Sequence, residues 1–152
     1  MSKDDCKICK YLTTTETDRF FITRLSSSIV RLKKDQYNRG YITVYFHDHK
    51  ENITELSDEE NLGLYQDMLK MAKAVKEIFS PDHMNYLLMG NKVPHLHWHI
   101  IPRYKWEVNW GTAIWVEPQP EVELKDEEYA EIINEIRMHL SKQTSQIQAG
   151  VL

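Results

Sequence analysis

The sequence predicts an α+β fold: an antiparallel β-sheet of about five strands with one long central helix and a C-terminal helix on one side. Three observations predict it. Short β-prone runs occur in two groups, early and late in the chain, with no crossover helix between neighbours within a group. A long segment of helical period separates the groups, and an amphipathic segment follows the second.

Residues 19–24 and 27–32 are β-prone and flank a serine-rich turn. The segment Asp35–Gly40 is loop material, and Tyr41–Phe46 is a third strand rich in β-branched and aromatic side chains. Ser57, with Glu60 three residues on, is a capping box that opens a helix. Leu62, Leu64, Tyr65, Met68, Leu69, Ala72, Val75, Ile78 and Phe79 then recur at helical spacing until Pro81. Met84–Met89 reads as a strand and Gly90–Pro94 as a turn. The last strand runs from His95 to about Tyr104. A tryptophan-rich loop (Trp106, Trp110, Trp115) leads to a helix over Lys125–Lys142, with Tyr129, Ile132, Ile133, Ile136 and Leu140 on one face. Residues 145–152 read as a flexible tail. No repeat or linker divides the chain, so 1–152 is expected to be one domain.

At 152 residues, 41% hydrophobic and 28% charged, the composition is that of an ordinary globular protein. A net charge of −4 argues against broad adhesion to nucleic acid or anionic membrane, without excluding a local anion site. No apolar run approaches the roughly 18 residues of a membrane span. The first residues are polar and lack a signal-peptide core, so cytoplasmic residence is the expectation.

The two cysteines form Cys6-x-x-Cys9. A disulfide of that spacing would close almost no loop. A thioredoxin-like pair needs a preceding strand, for which there is no room. Half of a zinc site fits better, with residues 1–15 as the metal-binding segment and histidines elsewhere completing it.

Residues 95–101 read His-Leu-His-Trp-His-Ile-Ile. Strand alternation would put His95, His97 and His99 on one face and Leu96, Trp98 and Ile100 behind them. Alternate residues are about 6.7 Å apart, so two of the histidines can pinch one metal but a third joins only with distortion. Divided duties follow: one end for a metal, the middle and far end for chemistry. A neutral imidazole can attack an electrophilic phosphorus while its neighbour donates hydrogen bonds to the phosphate oxygens. Asn91, Lys92 and Val93, in the turn just before, are candidates to bind the same phosphate.

His95–Ile101 fits the pattern His-φ-His-φ-His-φ-φ, with φ apolar, at every position. With Gly40 opening a strand, a strand ending near His49, the long helix and Gly90-Asn91-x-Val93, the chain resembles the histidine triad (HIT) superfamily of nucleotide hydrolases and transferases. The Cys6-x-x-Cys9 pair resembles its zinc-containing bacterial-type branch. The resemblance implies a HIT-like fold and a homodimer whose two sheets join. It implies substrates that are nucleotides or related small phosphate compounds, cleaved at phosphoanhydride, phosphoramidate or phosphoester bonds. His97 would be the nucleophile of a covalent phosphohistidine intermediate, and His99 would stabilise the pentacoordinate transition state. Asn91 stands where many members carry Gln. A structural zinc would be held by Cys6, Cys9, His49 and His95. His47 competes for the third place, because His47-Asp48-His49 is itself an H-x-H, although spacing from Gly40 favours His49.

The chain departs from the family pattern in four places. Tyr41 stands where a histidine often follows the glycine. Arg31-Leu-Lys-Lys34 occupies the region of an acid that grips ribose hydroxyls, and Asp35 would substitute only after a shift of register. Lys92 replaces a common Ser or Thr, and the loop ending at Gly90 is short. These changes add positive charge around the expected pocket. They imply a substrate with more phosphate or a different acyl or sugar part, unless they are drift on a solvated loop. Two other function classes stay open. One is a zinc-stabilised nucleotide-binding protein without turnover. The other is a metal-dependent hydrolase using His47, His49, His95 and His97. Trp98 is expected in the core or a dimer contact, and His83 and His139 at the surface. The loop tryptophans are expected to pack rather than to stack on a base.

Overall fold

The histidine strand is paired along both of its edges, which fixes it within the sheet. The computed structural model describes residues 2–15 and 17–149. In chain order the elements are α1 (Lys7–Thr13), β1 (Phe21–Arg24), β2 (Ser28–Leu32), β3 (Ile42–Phe46), a 3-10 turn (Ile53–Glu55), α2 (Asp58–Phe79), β4 (His83–Leu88), β5 (His97–Arg103) and α3 (Asp126–Ala149). The five strands form one sheet in the order β1-β2-β3-β5-β4, with every neighbouring pair antiparallel. Because β3 and β4 both oppose β5, they run the same way, and α2 makes the long return between them.

The sequence explains where α2 starts and stops. The Ser57 hydroxyl accepts from the Glu60 N–H at 3.2 Å, and the Glu60 carboxylate accepts from the Ser57 N–H at 2.8 Å. At the far end Ser80 takes a left-handed conformation (φ 45°), and Pro81 cannot continue the helix. The buried faces of α2 and α3, including Leu64, Met71, Val75, Tyr129, Ile132 and Ile136, meet Val30, Leu32, Ile42, Val44, Phe46 and Ile100 from the sheet. Trp98 packs against this core. Gly40 has φ +88°, and a Cβ there would fall 2.5 Å from the Phe79 ring, so only glycine suits the entry to β3.

A buried carboxylate ties the β1–β2 hairpin to α2. Asp67 accepts from the Ser26 hydroxyl (3.0 Å), the Ser27 N–H (2.9 Å) and the Ser28 hydroxyl (2.7 Å).

Several boundaries differ from those the sequence suggests. Residues 7–13 are helical. β5 begins at His97 rather than His95. α3 runs past Lys142 to Ala149, through most of the segment expected as a flexible tail; residues 150–152 of that segment lie outside the described residues. His83 is exposed, whereas His139 joins α3 to α2 through Glu77 at 2.9 Å. Among the described residues no helix is long and apolar enough to cross a membrane.

Candidate active site and metal centre

Strand register decides which side chains share the histidine face. His97 pairs with Tyr45 and His99 with Thr43 across β5 and β3; Thr43 pairs in turn with Arg31 on β2. Paired residues point to the same side of a sheet. The N–H of Lys33 donates to the Tyr41 carbonyl at 3.0 Å and continues the ladder by one step. The face turned away from α2 and α3 therefore carries His97, His99, Tyr41, Thr43, Tyr45, Arg31 and Lys33. Two other segments cover its ends. α1 packs Cys6, Ile8 and Cys9 on Tyr45 at one end, and Ile114 packs on Tyr41 and Ile101 at the other. The two histidines lie between these covers.

His95 is separated from the other two by the backbone. Pro94 has no N–H to pair, the His95 N–H bonds the Val93 carbonyl (2.8 Å), and the Leu96 N–H bonds the Lys50 carbonyl (2.6 Å), so the regular ladder starts only afterwards. The His95 ring is fully buried and donates from Nε2 to the Phe46 carbonyl at 2.9 Å. Its Nδ1 then faces the sulfurs of Cys6 and Cys9, each at 3.5 Å. His49 Nδ1 lies 3.3 Å from the Cys9 sulfur. The sulfurs meet because Cys6 caps α1 and accepts from the Cys9 N–H at 3.5 Å.

The donor atoms of Cys6, Cys9, His49 and His95 all lie within 4.8 Å of one another. A tetrahedral zinc with sulfur and imidazole ligands separates its donors by roughly 3.3–3.8 Å, so these residues fit that ion. The carbonyl bond to His95 Nε2 is the kind of outer contact that orients a ligating imidazole. Without a cation, burial and the adjoining Cys6 sulfur push the Cys9 thiol up to about 11, a penalty that a bound cation reverses. His47 lies outside the group; its ring stacks on Phe46 and faces Asp48 at 3.4 Å.

His97 is set up differently. Its Nδ1 lies 2.6 Å from the His95 carbonyl oxygen. A carbonyl only accepts, so Nδ1 carries the proton and Nε2 carries a free lone pair. Burial holds the imidazole below its usual pKa and the positive charge of Lys33 acts in the same direction, so the ring is neutral near pH 7. The His99 ring is 4.7 Å from His97, edge to face. Burial, then the charges of His97 and Lys33, lower His99 to about 3. The Tyr41 hydroxyl is 2.7 Å from His99 Nδ1 and burial raises its pKa, so it remains a proton-bearing group.

The tryptophan loop reaches this centre through one side chain. Trp115, with φ +70°, sets its ring 5.7 Å from His99 at 81°. Trp106 instead stacks on Tyr104, and Trp110 is exposed. The loop is anchored by a buried polar cluster. Arg103 pairs with Glu107 and donates to the Asn109 carbonyl at 2.6 Å, and Asn38 donates to Glu107 at 2.6 Å. Asn109 fastens the far end, accepting from the Glu117 N–H at 2.8 Å and donating to its carbonyl at 3.0 Å. Sequence reasoning missed Tyr45 and this cluster, read Trp115 as packing only, and placed Lys33 no more closely than in a run that adds positive charge around the expected pocket. The alternation of Tyr41, Thr43 and Tyr45 is the one signal that places such neighbours beside the histidines.

Asn91 and Lys92 are exposed on the loop between β4 and β5, while Val93 is half-buried against the Cys6–Tyr45 cluster. A cleft of about 120 Å³, bordered by Met89, Gly90, His95, Leu96 and His97, opens beside β5.

The sequence model of the HIT domain matches residues 14–106, which leaves the cysteine pair outside the match. Protein hit of Bacillus subtilis is 34% identical over 85 residues, 53% of this chain and 58% of its own length, so the match spans little more than half of that relative. Bis(5'-adenosyl)-triphosphatase of Dictyostelium discoideum is 28% identical over 121 residues, 76% of this chain and 80% of its own. Among solved structures, a histidine triad protein from Bradyrhizobium japonicum superposes with a TM-score of 0.72 at 27% identity, covering 79% of this chain and 89% of its own. A zinc-bound histidine triad family protein from Mycobacterium smegmatis shares the fold, with a TM-score of 0.68 at 19% identity over 95% and 99% of the two chains. The domain match alone takes in more than half of the residues, and the protein therefore belongs to the histidine triad (HIT) family.

Proposed function

We propose that the protein is a nucleotide-phosphate hydrolase or transferase that works through a covalent phosphohistidine on His97. The observation that carries this reading is the bond from His97 Nδ1 to the His95 carbonyl, which leaves Nε2 as an unprotonated nucleophile beside His99. The Nε2 lone pair forms a bond to the substrate phosphorus, and the bond from phosphorus to the leaving group breaks. His99, neutral and bonded through Nδ1 to the Tyr41 hydroxyl, presents an Nε2–H to the phosphoryl oxygens as charge builds there. Water, or another acceptor, then attacks the phosphorus and frees His97. The relatives named as hydrolases of bis(5'-adenosyl) and bis(5'-nucleosyl) polyphosphates support dinucleoside polyphosphates as the substrate class.

Cys6, Cys9, His49 and His95 would hold a structural zinc. The metal supplies no group to the reacting atoms and ties α1 to the sheet. His47 and His97 both stand apart from that donor group, which weighs against a catalytic metal on the histidines. The chain would act as a homodimer. Among the described residues β4 is an edge strand of the sheet, and α2 exposes an apolar stripe of Leu62 (56%), Tyr65 (51%) and Leu69 (38%) at helical spacing.

The test compares the wild-type protein with His97→Ala on diadenosine triphosphate and adenosine 5'-phosphoramidate. Fragments prepared under alkaline conditions, in which the bond from histidine nitrogen to phosphorus survives, are analysed for nucleotidylated histidine during turnover. The proposal expects a trapped adduct on the wild type only and loss of turnover in the variant with its circular dichroism unchanged. Turnover that survives His97→Ala but stops on chelation would instead favour metal-dependent hydrolysis.

A further inference from the structure

Three cationic side chains border the histidine face, and they are not equivalent. Arg31 is committed to the protein: it pairs twice with Asp18, once at 2.9 Å, and lies under the Tyr11 ring at 4.2 Å. Lys92 is exposed on the loop before the triad. Lys33 is half-buried, with its ammonium 5.8 Å from the centre of the Tyr41 ring, whose hydroxyl is the partner of His99. Asp35, the nearest acid along the chain, is engaged elsewhere, accepting from the backbone N–H of Tyr37 (3.0 Å) and Val122 (2.9 Å). Among the described residues Lys33 has no carboxylate within ion-pairing distance.

An ammonium partly withdrawn from water without a counter-charge is destabilising, and an anionic ligand is the natural compensation. The electrostatics agree in direction. Burial, then Arg31 and Lys92, lower Lys33 against the pull of Asp35, and Lys33 in turn lowers His99. Its charge therefore reaches the place where the substrate phosphorus would sit. His97 would attack one phosphoryl group and His99 would offer it a neutral donor, and neither has a cation for a second phosphate.

We propose that Lys33, with Lys92 beside it, is a specificity residue that receives a second phosphate group of the substrate, beyond the phosphorus attacked by His97. The assignment deepens the hydrolase reading above and rests on it. A substrate whose leaving part is uncharged, such as a phosphoramidate, leaves the ammonium without a partner, whereas a polyphosphate chain fills the position.

The experiment measures kcat/KM for diadenosine tetraphosphate and for adenosine 5'-phosphoramidate in the wild type, Lys33→Gln and Lys33→Arg. The ratio of the two values is expected to fall about tenfold in Lys33→Gln, the size of one charge-assisted contact, and to recover in Lys33→Arg. A ratio unchanged by Lys33→Gln overturns the assignment. Calorimetric binding of inorganic tripolyphosphate to the full chain as purified forms a second arm that needs no turnover, with Lys33→Gln expected to bind about tenfold more weakly. Equal affinities overturn the proposal. If the wild type consumes neither nucleotide, the hydrolase reading fails, and the tripolyphosphate result alone then decides the role of Lys33.

Discussion

The Tyr41 hydroxyl stands 2.7 Å from Nδ1 of His99, and this contact fixes how the third histidine of the triad presents its other nitrogen. The phenol keeps its proton, and donating it in a hydrogen bond to Nδ1 would leave the proton of His99 on Nε2, where the proposed mechanism needs a donor to the phosphate. Tyr41→Phe keeps the ring and its packing on Ile101 and Ile114 but removes that donor. The expected result is a fall in kcat of about tenfold with a smaller change in KM. Nitrogen-15 chemical shifts of labelled histidine would report the altered Nδ1 environment. An unchanged kcat would remove Tyr41 from the mechanism.

The metal group yields a prediction about composition and stability. Cys6→Ser should purify with less than stoichiometric zinc, whereas His47→Ala, whose ring lies on Phe46 and Asp48, should retain it. Loss of roughly 3 kcal/mol on freeing α1 would lower Tm by on the order of 10 °C in a domain of this size. Elemental analysis beside a thermal melt checks both parts. Equal zinc content in the two variants would refute the ligand set.

Asp67 is predicted to matter for stability alone. Its carboxylate receives three hydrogen bonds from the Ser26–Ser28 turn, on the helix side of the sheet and away from the histidines. Asp67→Ala strands those donors and should cost about 3 kcal/mol by urea titration, with kcat of the folded fraction unchanged. A variant as stable as the wild type would show that water replaces the carboxylate.

Assembly is tested on α2. Leu62→Glu places a charge in the exposed apolar stripe and should shift sedimentation from dimer to monomer at micromolar concentration. The fold should persist, since the side chain contributes little to the core. A wild type that is monomeric at every concentration would refute the dimer.

Acid should weaken the fold partly through His99. Its folded pKa of about 3 lies below the ordinary 6.5, so the unfolded chain takes up this proton first as the pH drops. The stability it contributes is complete above about pH 6.5 and is lost progressively towards pH 3, by at most about 1.4 kcal/mol per pH unit. His97, Lys33 and Tyr41 face the ring and share the site. His99→Gln should flatten the decline between pH 6 and pH 4 relative to the wild type, with zinc supplied to both. Parallel curves would assign the acid sensitivity to other groups.

What the sequence disclosed and what it concealed divide along a physical line. Ser57, Glu60 and Pro81 mark the ends of α2 because capping is local chemistry. The five strands were legible from alternation and β-branching. Cys6-x-x-Cys9 and the triad were visible as spacing. The departure of His95 from the strand was not, because it depends on how residues 46–50 pair with Leu96. The anchoring of the tryptophan loop was equally hidden. Nothing local in the sequence marks Arg103, Glu107, Asn38 and Asn109 as buried; only the fold gives each its buried partner. Trp115 joined the site only once the loop path was known, and β-register set Lys33, already in a basic run near the expected pocket, on the histidine face.

The covers at the two ends of the histidine face come from segments far apart in the chain, α1 at the start and the loop around Ile114 near the end, and neither belongs to the sheet. The sheet alone therefore leaves the histidine face open at both ends, and its enclosure depends on segments that fold on either side of the strands in sequence. Either cover could be exchanged while β5 is left untouched.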